Sequence, residues 1–548
     1  MNKCDLFLLT TNFNYESLME PVGISVLASI VKNKGFNVTV LEPSIFARSA
    51  EECADIIIKA NPKIVGFSIL IDSHVNDVLK MIKRIRQQCD GVVIFAGGQA
   101  ITMNYQQKSY YEFIKMLDFF MYGESESVIG KLVTDIIKKN FWYNTPGIGY
   151  YRSGKMHINK PAQIVTKLDD LPEMDRSVLK EILEKHPDYH ETSVPYGRGC
   201  TRNCTFCSEV FFRKSGKPKL RRRSLENVYY EIQKLYNEFG IRSFNIEDES
   251  LLDVDNEGKI ELLNFLEKIS KLSDNIELKI LGRIDCISKD LVHALYKGRV
   301  SYMFLGVDSV VEDDLILFNK GYTSQEVYKK MDILLKNGYS LEVDSKHRLS
   351  TGYIMWHPYS TLAGIRKSFE FLKKYNNTPK LIQHKLMVFS STPLINKIRA
   401  DGLLLSENLP EGNFEYPWKF LHNNVDILYE YMEKYYKEWM PIRDGIRTIE
   451  KYVSMEKEQC EQRLGGIKTY RKKLDKDFFS YFENILCSVE TKNIDNLSNI
   501  YLESINELKK YTNFIMKDIN NFANSVGFDT DLQEKLKENS LWICRYRN

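Results

Sequence analysis

Over residues 1–150, short apolar runs alternate with amphipathic stretches. Runs at 6–9, 38–41, 64–68, 92–95 and 119–122 are four or five residues long, too short for buried helices, and they predict five strands. Between them, 23–34 and 75–88 carry apolar residues at helical spacing. Apolar strands separated by helices predict a doubly wound α/β domain, Rossmann-like, with a parallel sheet covered on both faces. In such sheets a ligand binds beyond the carboxyl ends of the strands, where the strand order reverses. Three of those ends carry small or flexible residues: Ser68-Ile69-Leu70, Ala96-Gly97-Gly98-Gln99 and Tyr122-Gly123-Glu124.

Residues 151–190 read as a connector with the polar centre Asp169-Asp170-Leu171-Pro172-Glu173-Met174-Asp175, where the proline breaks regular structure. From 191 to 410 strands and helices alternate again, with strands expected at 243–246, 278–281, 303–309, 352–358 and 386–393 and a helix starting at the cap Ser224. That pattern suits a partial (β/α)6 barrel, whose functional groups gather at the carboxyl ends of its strands. Beyond 411 the pattern is helical, and Tyr429, Tyr431, Tyr435, Tyr436 and Trp439 read as a buried helix face.

A chain of 548 residues with 43% hydrophobic and 27% charged content is an ordinary multi-domain globular protein. A net charge of +3 argues against a nucleic-acid coat, and the basic run 213–223 reads as a solvated loop. Apolar runs fall well short of the ~20 residues that span a bilayer, and Met-Asn-Lys-Cys-Asp does not open like a signal peptide. A cytoplasmic protein is expected, with no nucleic acid and no membrane as partner. Its ten cysteines are then reduced thiols, and those outside one cluster are expected to be small buried hydrophobes.

That cluster is Gly197-Arg198-Gly199-Cys200-Thr201-Arg202-Asn203-Cys204-Thr205-Phe206-Cys207. Three cysteines in eight residues bring three thiolates onto one loop, and its glycines let the backbone pass close to a bulky inorganic group. An iron–sulfur cubane normally takes four thiolates, so three leave one iron open. A structural zinc site needs four ligands, and no further Cys or His lies close by in sequence.

At these residues the chain resembles the radical S-adenosylmethionine (SAM) enzymes, whose cysteine triplet has three and then two intervening residues, the last of them usually aromatic. The resemblance implies that Cys200, Cys204 and Cys207 hold a [4Fe-4S] cluster, that SAM chelates its open iron, and that Phe206 lies near the adenine. It further implies that Asp248 and Glu249 reach the amino group of SAM, that Arg283 of Gly282-Arg283-Ile284-Asp285 holds the methionine carboxylate, and that Asp308 contacts the ribose, where the family has Glu. The region ahead of the triplet is similar to the cobalamin-binding domain of a large branch of that family. Pro21 and Gly23 match its helix opening, Ser68 and Leu70 its Ser-x-Leu, and Gly97 and Gly98 its Gly-Gly, while Gly123 and Glu124 close the fifth strand end. The loop after the first strand, Thr10-Thr11-Asn12-Phe13-Asn14-Tyr15, lacks the axial histidine of other cobalamin folds, so base-off binding is expected, and His74 reads as a cap or a solvated residue.

The domains expected are therefore a cobalamin-binding domain at 1–150, the connector at 151–190, a radical SAM core at 191–410 and a helical C-terminal domain at 411–548. The function implied is cobalamin-dependent methylation of an unactivated carbon, which general bases cannot deprotonate but a 5'-deoxyadenosyl radical can attack, with methylcobalamin as methyl donor. A small biosynthetic substrate is expected, a modified peptide second, with flavodoxin or ferredoxin as electron donor. The alternative is a rearrangement, ring contraction or oxidation using the same cofactors. Methylthiotransferases place a second cluster on three N-terminal cysteines, but Cys4, Cys53 and Cys89 lack the Gly or Asn neighbours of those ligands, and no β-rich RNA-binding module follows. A non-catalytic sensor has no use for an open iron.

Overall fold

The computed structural model describes residues 4–13, 17–70, 74–210, 219–342, 345–375, 379–390, 392–407, 415–455 and 461–525. Asn14, Tyr15, residues 213–218 of the basic run, Ser391, Cys460 and Cys544 lie outside them. The chain divides into two compact units, Met1–Gly306 with Ile316–Ser350 and Met387–Trp418, and Val307–Leu315 with Thr351–Leu386 and Lys419–Asn548.

The first unit opens with β1 (Leu6–Thr10), β2 (Val38–Leu41), β3 (Ile64–Ser68), β4 (Val93–Gly97), β5 (Phe119–Met121), β6 (Ile148–Arg152) and β7 (Lys155–Ile158), in the order β2-β1-β3-β4-β5-β6-β7. Strands β1 to β5 pair in parallel, and their order reverses between β1 and β3. Their apolar residues serve two faces by simple alternation. Leu6 and Leu8 pack with the helices Val22–Lys32 and Glu126–Ile137, and Phe7 and Leu9 pack with Ala50–Ala60 and Val75–Gln88. Each such buried side chain contributes about 1.5–3 kcal/mol.

The antiparallel hairpin β6–β7 extends this sheet into what the sequence suggests is connector. Most of β7 is exposed, so it carries no apolar signature. The rest of the connector is stapled down. Asp175 accepts from Lys32 Nζ at 2.5 Å, and Asp169 accepts from the amide of Ser224 at 3.0 Å. Arg176 donates to Glu20 at 2.9 Å and Glu231 at 2.7 Å. Glu20 and Glu231 are both buried.

A second sheet contains β8 (Glu191–Pro195), β11 (Ser243–Glu247), β12 (Glu277–Arg283), β13 (Val300–Asp308) and β14 (Arg348–Tyr353), in the order β14-β13-β12-β11-β8. A separate two-stranded ribbon, β9 (Gly197–Gly199) with β10 (Leu220–Arg222), follows β8. Strands laid down consecutively, rather than from the middle outwards, place their crossover helices on one face, which is barrel geometry. Ser224 caps its helix, Leu225–Phe239, as expected. The fifth strand ends at Tyr353 instead of running to 358, and the stretch expected as a sixth strand forms no ladder among the described residues. Among the described residues a single bridge, Trp356 with Lys385, stands there, since Pro358 lacks the amide that the next rung needs.

In the second unit the helices Asn423–Met455, Glu461–Glu490 and Leu497–Ser525 follow one another. Trp439 and Tyr435 are buried, Tyr435 stacks on Tyr481 at 4.1 Å, and Trp439 Nε1 donates to the Leu474 carbonyl at 3.0 Å.

Candidate functional site

The cysteine loop hangs from the β9–β10 ribbon, and both of its glycines are required there. A Cβ on Gly197 would lie 1.9 Å from Asp248 Oδ2, and Gly199, at φ +83°, would place one 2.4 Å from the Lys219 carbonyl. The glycines thus admit a buried carboxylate and the returning strand, where the sequence suggests closeness to an inorganic group. Cys204 is buried, and Cys200 and Cys207 are half-buried. The amide of Cys207 donates to the Cys204 carbonyl at 3.2 Å. Thr205 is fixed on both sides, with its amide donating to Phe318 O at 3.1 Å, its hydroxyl to Leu317 O at 2.7 Å, and its carbonyl accepting from Leu394 N at 2.9 Å. Phe206 meets Phe318 edge-on at 5.2 Å. Arg202 forks onto Asp253 at 2.9 and 3.1 Å.

Burial pushes the Cys200 thiol up and the Cys207 thiol up to about 12, the latter reinforced by Cys204, Glu209 and Glu249. Thiols held protonated in this way must release protons to bind metal. Among the described residues no three His, Cys, Asp or Glu side chains converge on a single point that would chelate one ion. Three thiols presented from one loop suit a cubane, in which each cysteine binds a different iron.

At the end of β11, Glu247 accepts from Ser193 and Asn245, each at 2.7 Å. Asp248 is buried and fully committed, taking Arg222 at 2.9 and 3.1 Å and the Ser250 amide at 2.6 Å. Of the expected acidic pair, Glu249 alone is an exposed residue, its carboxyl set among other acids. The surrounding protein, and then Glu209, Asp248 and Glu247, push that carboxyl up to about 7. Arg283, at the end of β12, turns its fork onto Asp285 at 2.9 and 3.2 Å and reaches Cys204 Sγ at 3.5 Å. Asp308 belongs to the second unit. It stands at φ +62°, a conformation rare outside glycine, and its carbonyl accepts from Ile354 N at 2.9 Å. Beside it Asp314 accepts from Ser309 Oγ at 2.8 Å and pairs with His357 Nε2 at 3.0 Å.

On the first sheet, Ser68 and Gly97 are register partners at the carboxyl ends of β3 and β4. Gly98, at φ +99°, would place a Cβ 2.5 Å from the Ile69 carbonyl. Thr102 Oγ donates to the Gly98 carbonyl at 2.9 Å and accepts from the Gly123 amide at 3.0 Å, which ties the turn after β4 to the end of β5. Leu70 is exposed beside this turn. Glycine backbone next to an exposed leucine gives a floor on which a flat macrocycle fits. Pro21 precedes the helix Val22–Lys32, and Gly23 has no atom within 4 Å of its absent Cβ.

Glu124 is taken by two arginines, Arg221 at 2.5 and 2.9 Å and Arg198 at 3.2 Å, while Arg198 also meets Glu126 at 2.7 Å. These arginines sit on β9 and β10, so the end of the first sheet is tied to the cysteine ribbon. His74 makes no cap bond. It lies 3.4 Å from Thr11 Oγ and 5.8 Å from the Phe13 ring, and burial lowers its pKa. Cys4, Cys53 and Cys89 are buried in the core of the first sheet, and burial pushes Cys53 up to about 12, which leaves them inert. Two cysteines depart from the expected burial, Cys286 being half-buried and Cys487 exposed with Arg366 at 3.2 Å.

Residues 9–133 match the B12 binding domain model and 194–372 the radical SAM superfamily model. An uncharacterized methyltransferase of Pyrococcus horikoshii is 25% identical over 65% of this chain and 73% of its own. An anaerobic magnesium-protoporphyrin IX monomethyl ester cyclase of Synechocystis is 23% identical over 55% of this chain and 59% of its own. Among solved structures, OxsB, a cobalamin-dependent SAM radical enzyme with aqua-cobalamin and SAM bound, has a TM-score of 0.78 at 15% identity, covering 100% of this chain and 84% of that one. Among the described residues no helix is long and apolar enough to cross a membrane.

Proposed function

Because the chain belongs to the cobalamin-dependent radical SAM enzymes, we propose that it methylates an unactivated carbon of a small biosynthetic substrate. The observation that carries this reading is the pairing, in one chain, of a three-cysteine loop with a glycine-floored sheet edge. The name of the Pyrococcus relative, a methyltransferase, supports it. The domain limits we propose are 1–150, 151–190, 191–410 and 411–548.

In this reading Cys200, Cys204 and Cys207 hold the [4Fe-4S] cluster, and Pro21, Gly23, Ser68, Leu70, Gly97, Gly98 and Gly123 line the corrinoid site. Together these groups supply a 5'-deoxyadenosyl radical and a methyl carrier. Glu249 is the available acceptor for the SAM ammonium. Asp248 acts through Arg222, fixing the ribbon from which the cysteines hang. Phe206, packed on Phe318, keeps water from that side of the loop. Reducing electrons come from flavodoxin or ferredoxin.

The cyclase relative favours a second reading, an oxidative ring closure with the same cofactors. Product mass spectrometry separates the two. A gain of one CH₂ supports methyl transfer, whereas a dehydrogenated or unchanged mass assigns the chain to the second class.

A further inference from the structure

Arg283 is 6% exposed, and its guanidinium is already engaged. Nε and Nη2 fork onto Asp285 at 2.9 and 3.2 Å, Nη2 also donates to the Lys320 carbonyl at 2.8 Å, and Nη1 points at Cys204 Sγ at 3.5 Å. Capture of a methionine carboxylate uses that same planar fork, and Asp285 occupies it. A second cation is buried nearby. Lys320 is 4% exposed, with Nζ 5.9 Å from the centre of the Phe206 ring and 5.5 Å from that of Tyr322. Its segment is stitched to the cysteine loop, Asn319 Nδ2 donating to Asn203 O at 2.9 Å and Phe318 O accepting from Thr205 N at 3.1 Å. Two positive side chains are thus held in a poorly solvated shell around Cys204 and Phe206.

We propose that Arg283 and Lys320 set the reduction potential of the cluster, Arg283 through an N–H···S hydrogen bond to the Cys204 thiolate and Lys320 through its buried charge, and that Arg283 is not the carboxylate ligand of SAM. The proposal rests on the cluster reading above. A low-potential one-electron donor of the flavodoxin or ferredoxin kind gives one electron to the [4Fe-4S]²⁺ state, which becomes [4Fe-4S]⁺. The added negative charge is stabilised by a donor to sulfur and by nearby cations more than the oxidised state is, so both residues raise the potential. Burial magnifies the effect, because little water intervenes to screen it. Asp285 orients the guanidinium and offsets part of its charge.

The test is a mediator titration followed by EPR on anaerobically reconstituted full-length protein without SAM, comparing wild type, Arg283→Gln and Lys320→Gln, with SAM affinity measured separately. Arg283→Gln is expected to lower the equilibrium constant for reduction at least about tenfold, a midpoint lower by about 59 mV for a one-electron couple. Lys320→Gln moves it in the same direction, and SAM affinity changes by less than about threefold in both. An unchanged midpoint in Arg283→Gln, with SAM binding at least about tenfold weaker, would make Arg283 the carboxylate ligand and overturn the proposal. If Arg283→Gln holds no iron, Lys320→Gln decides: a lowered midpoint supports the proposal and an unchanged one overturns it. A wild-type protein that assembles no cluster refutes the cluster reading instead, an outcome distinct from either.

Discussion

Replacing Glu124 with glutamine removes the charge that holds the cysteine ribbon to the end of the first sheet. Arg221 loses contacts of 2.5 and 2.9 Å and Arg198 one of 3.2 Å. Breaking a buried ion pair from one side costs about 3–5 kcal/mol, because a charge is left buried and unpaired. Here the loss is softened. Arg221, only 6% exposed, keeps the Val165 carbonyl at 2.7 Å, and Arg198, 29% exposed, keeps Glu126 at 2.7 Å. We therefore expect a local loss of about 2 kcal/mol, below the full range because of those remaining partners and the partial exposure. In native-state hydrogen exchange this is an acceleration of about 30-fold at the ladder amides of β9 and β10, with distant β1 and β3 unchanged. Corrinoid affinity is expected to stay within about threefold of wild type, since the carboxylate faces arginines. Unchanged exchange in the ribbon, accompanied by corrinoid binding at least about tenfold weaker, would refute the reasoning and make Glu124 a corrinoid ligand.

Glu249 gives a pH prediction. Its carboxyl is raised to about 7 from the ordinary 4.5, so the contribution of its protonated form to stability is complete below 4.5 and is lost as pH rises through about 7. In cofactor-free protein Glu249→Gln should melt higher than wild type above pH 7 and equally at pH 4.5, while wild-type SAM affinity rises across that window and the variant's stays flat; parallel curves in both assays would contradict this. Gly98→Ala places a Cβ 2.5 Å from a backbone carbonyl at φ +99° and should cost about 2–3 kcal/mol, whereas Gly23→Ala, with nothing within 4 Å, should be neutral or slightly stabilising in the same thermal melts. Cys53→Ala should cost about 1 kcal/mol and leave iron content unchanged, and loss of about half the iron would reveal a second cluster.

Much of the fold is legible because burial writes itself into apolar runs. Strands β1, β3, β4 and β5 are buried along nearly all of their length and stand out, but β7 is largely exposed and does not. Among the described residues the ladder after β14 stops at one bridge because Pro358 lacks the amide for the next rung, in a stretch whose hydrophobicity alone reads as strand. The cysteine triplet is legible through local spacing. The arginines that organise the site are not, because their partners are remote in the chain, Arg176 and Glu20 being 156 residues apart and Arg221 and Glu124 97. Asp248 and Arg283 carry motif signals, yet one is consumed by Arg222 and the other by Asp285. A motif names the residues near a cofactor and leaves open which of them touch it.

The central claim is tested most directly by assaying wild type and the alanine variants of Cys200, Cys204 and Cys207 for iron, corrinoid and 5'-deoxyadenosine after anaerobic reconstitution and reduction with SAM. The wild type is expected to be brown and oxygen-sensitive, to bind a corrinoid and to form 5'-deoxyadenosine. Each variant should lose the chromophore and the nucleoside together and still bind the corrinoid, whose proposed site at Ser68, Leu70, Gly97 and Gly98 lies on the first sheet. A wild type that forms no 5'-deoxyadenosine, or that retains no corrinoid, would contradict it.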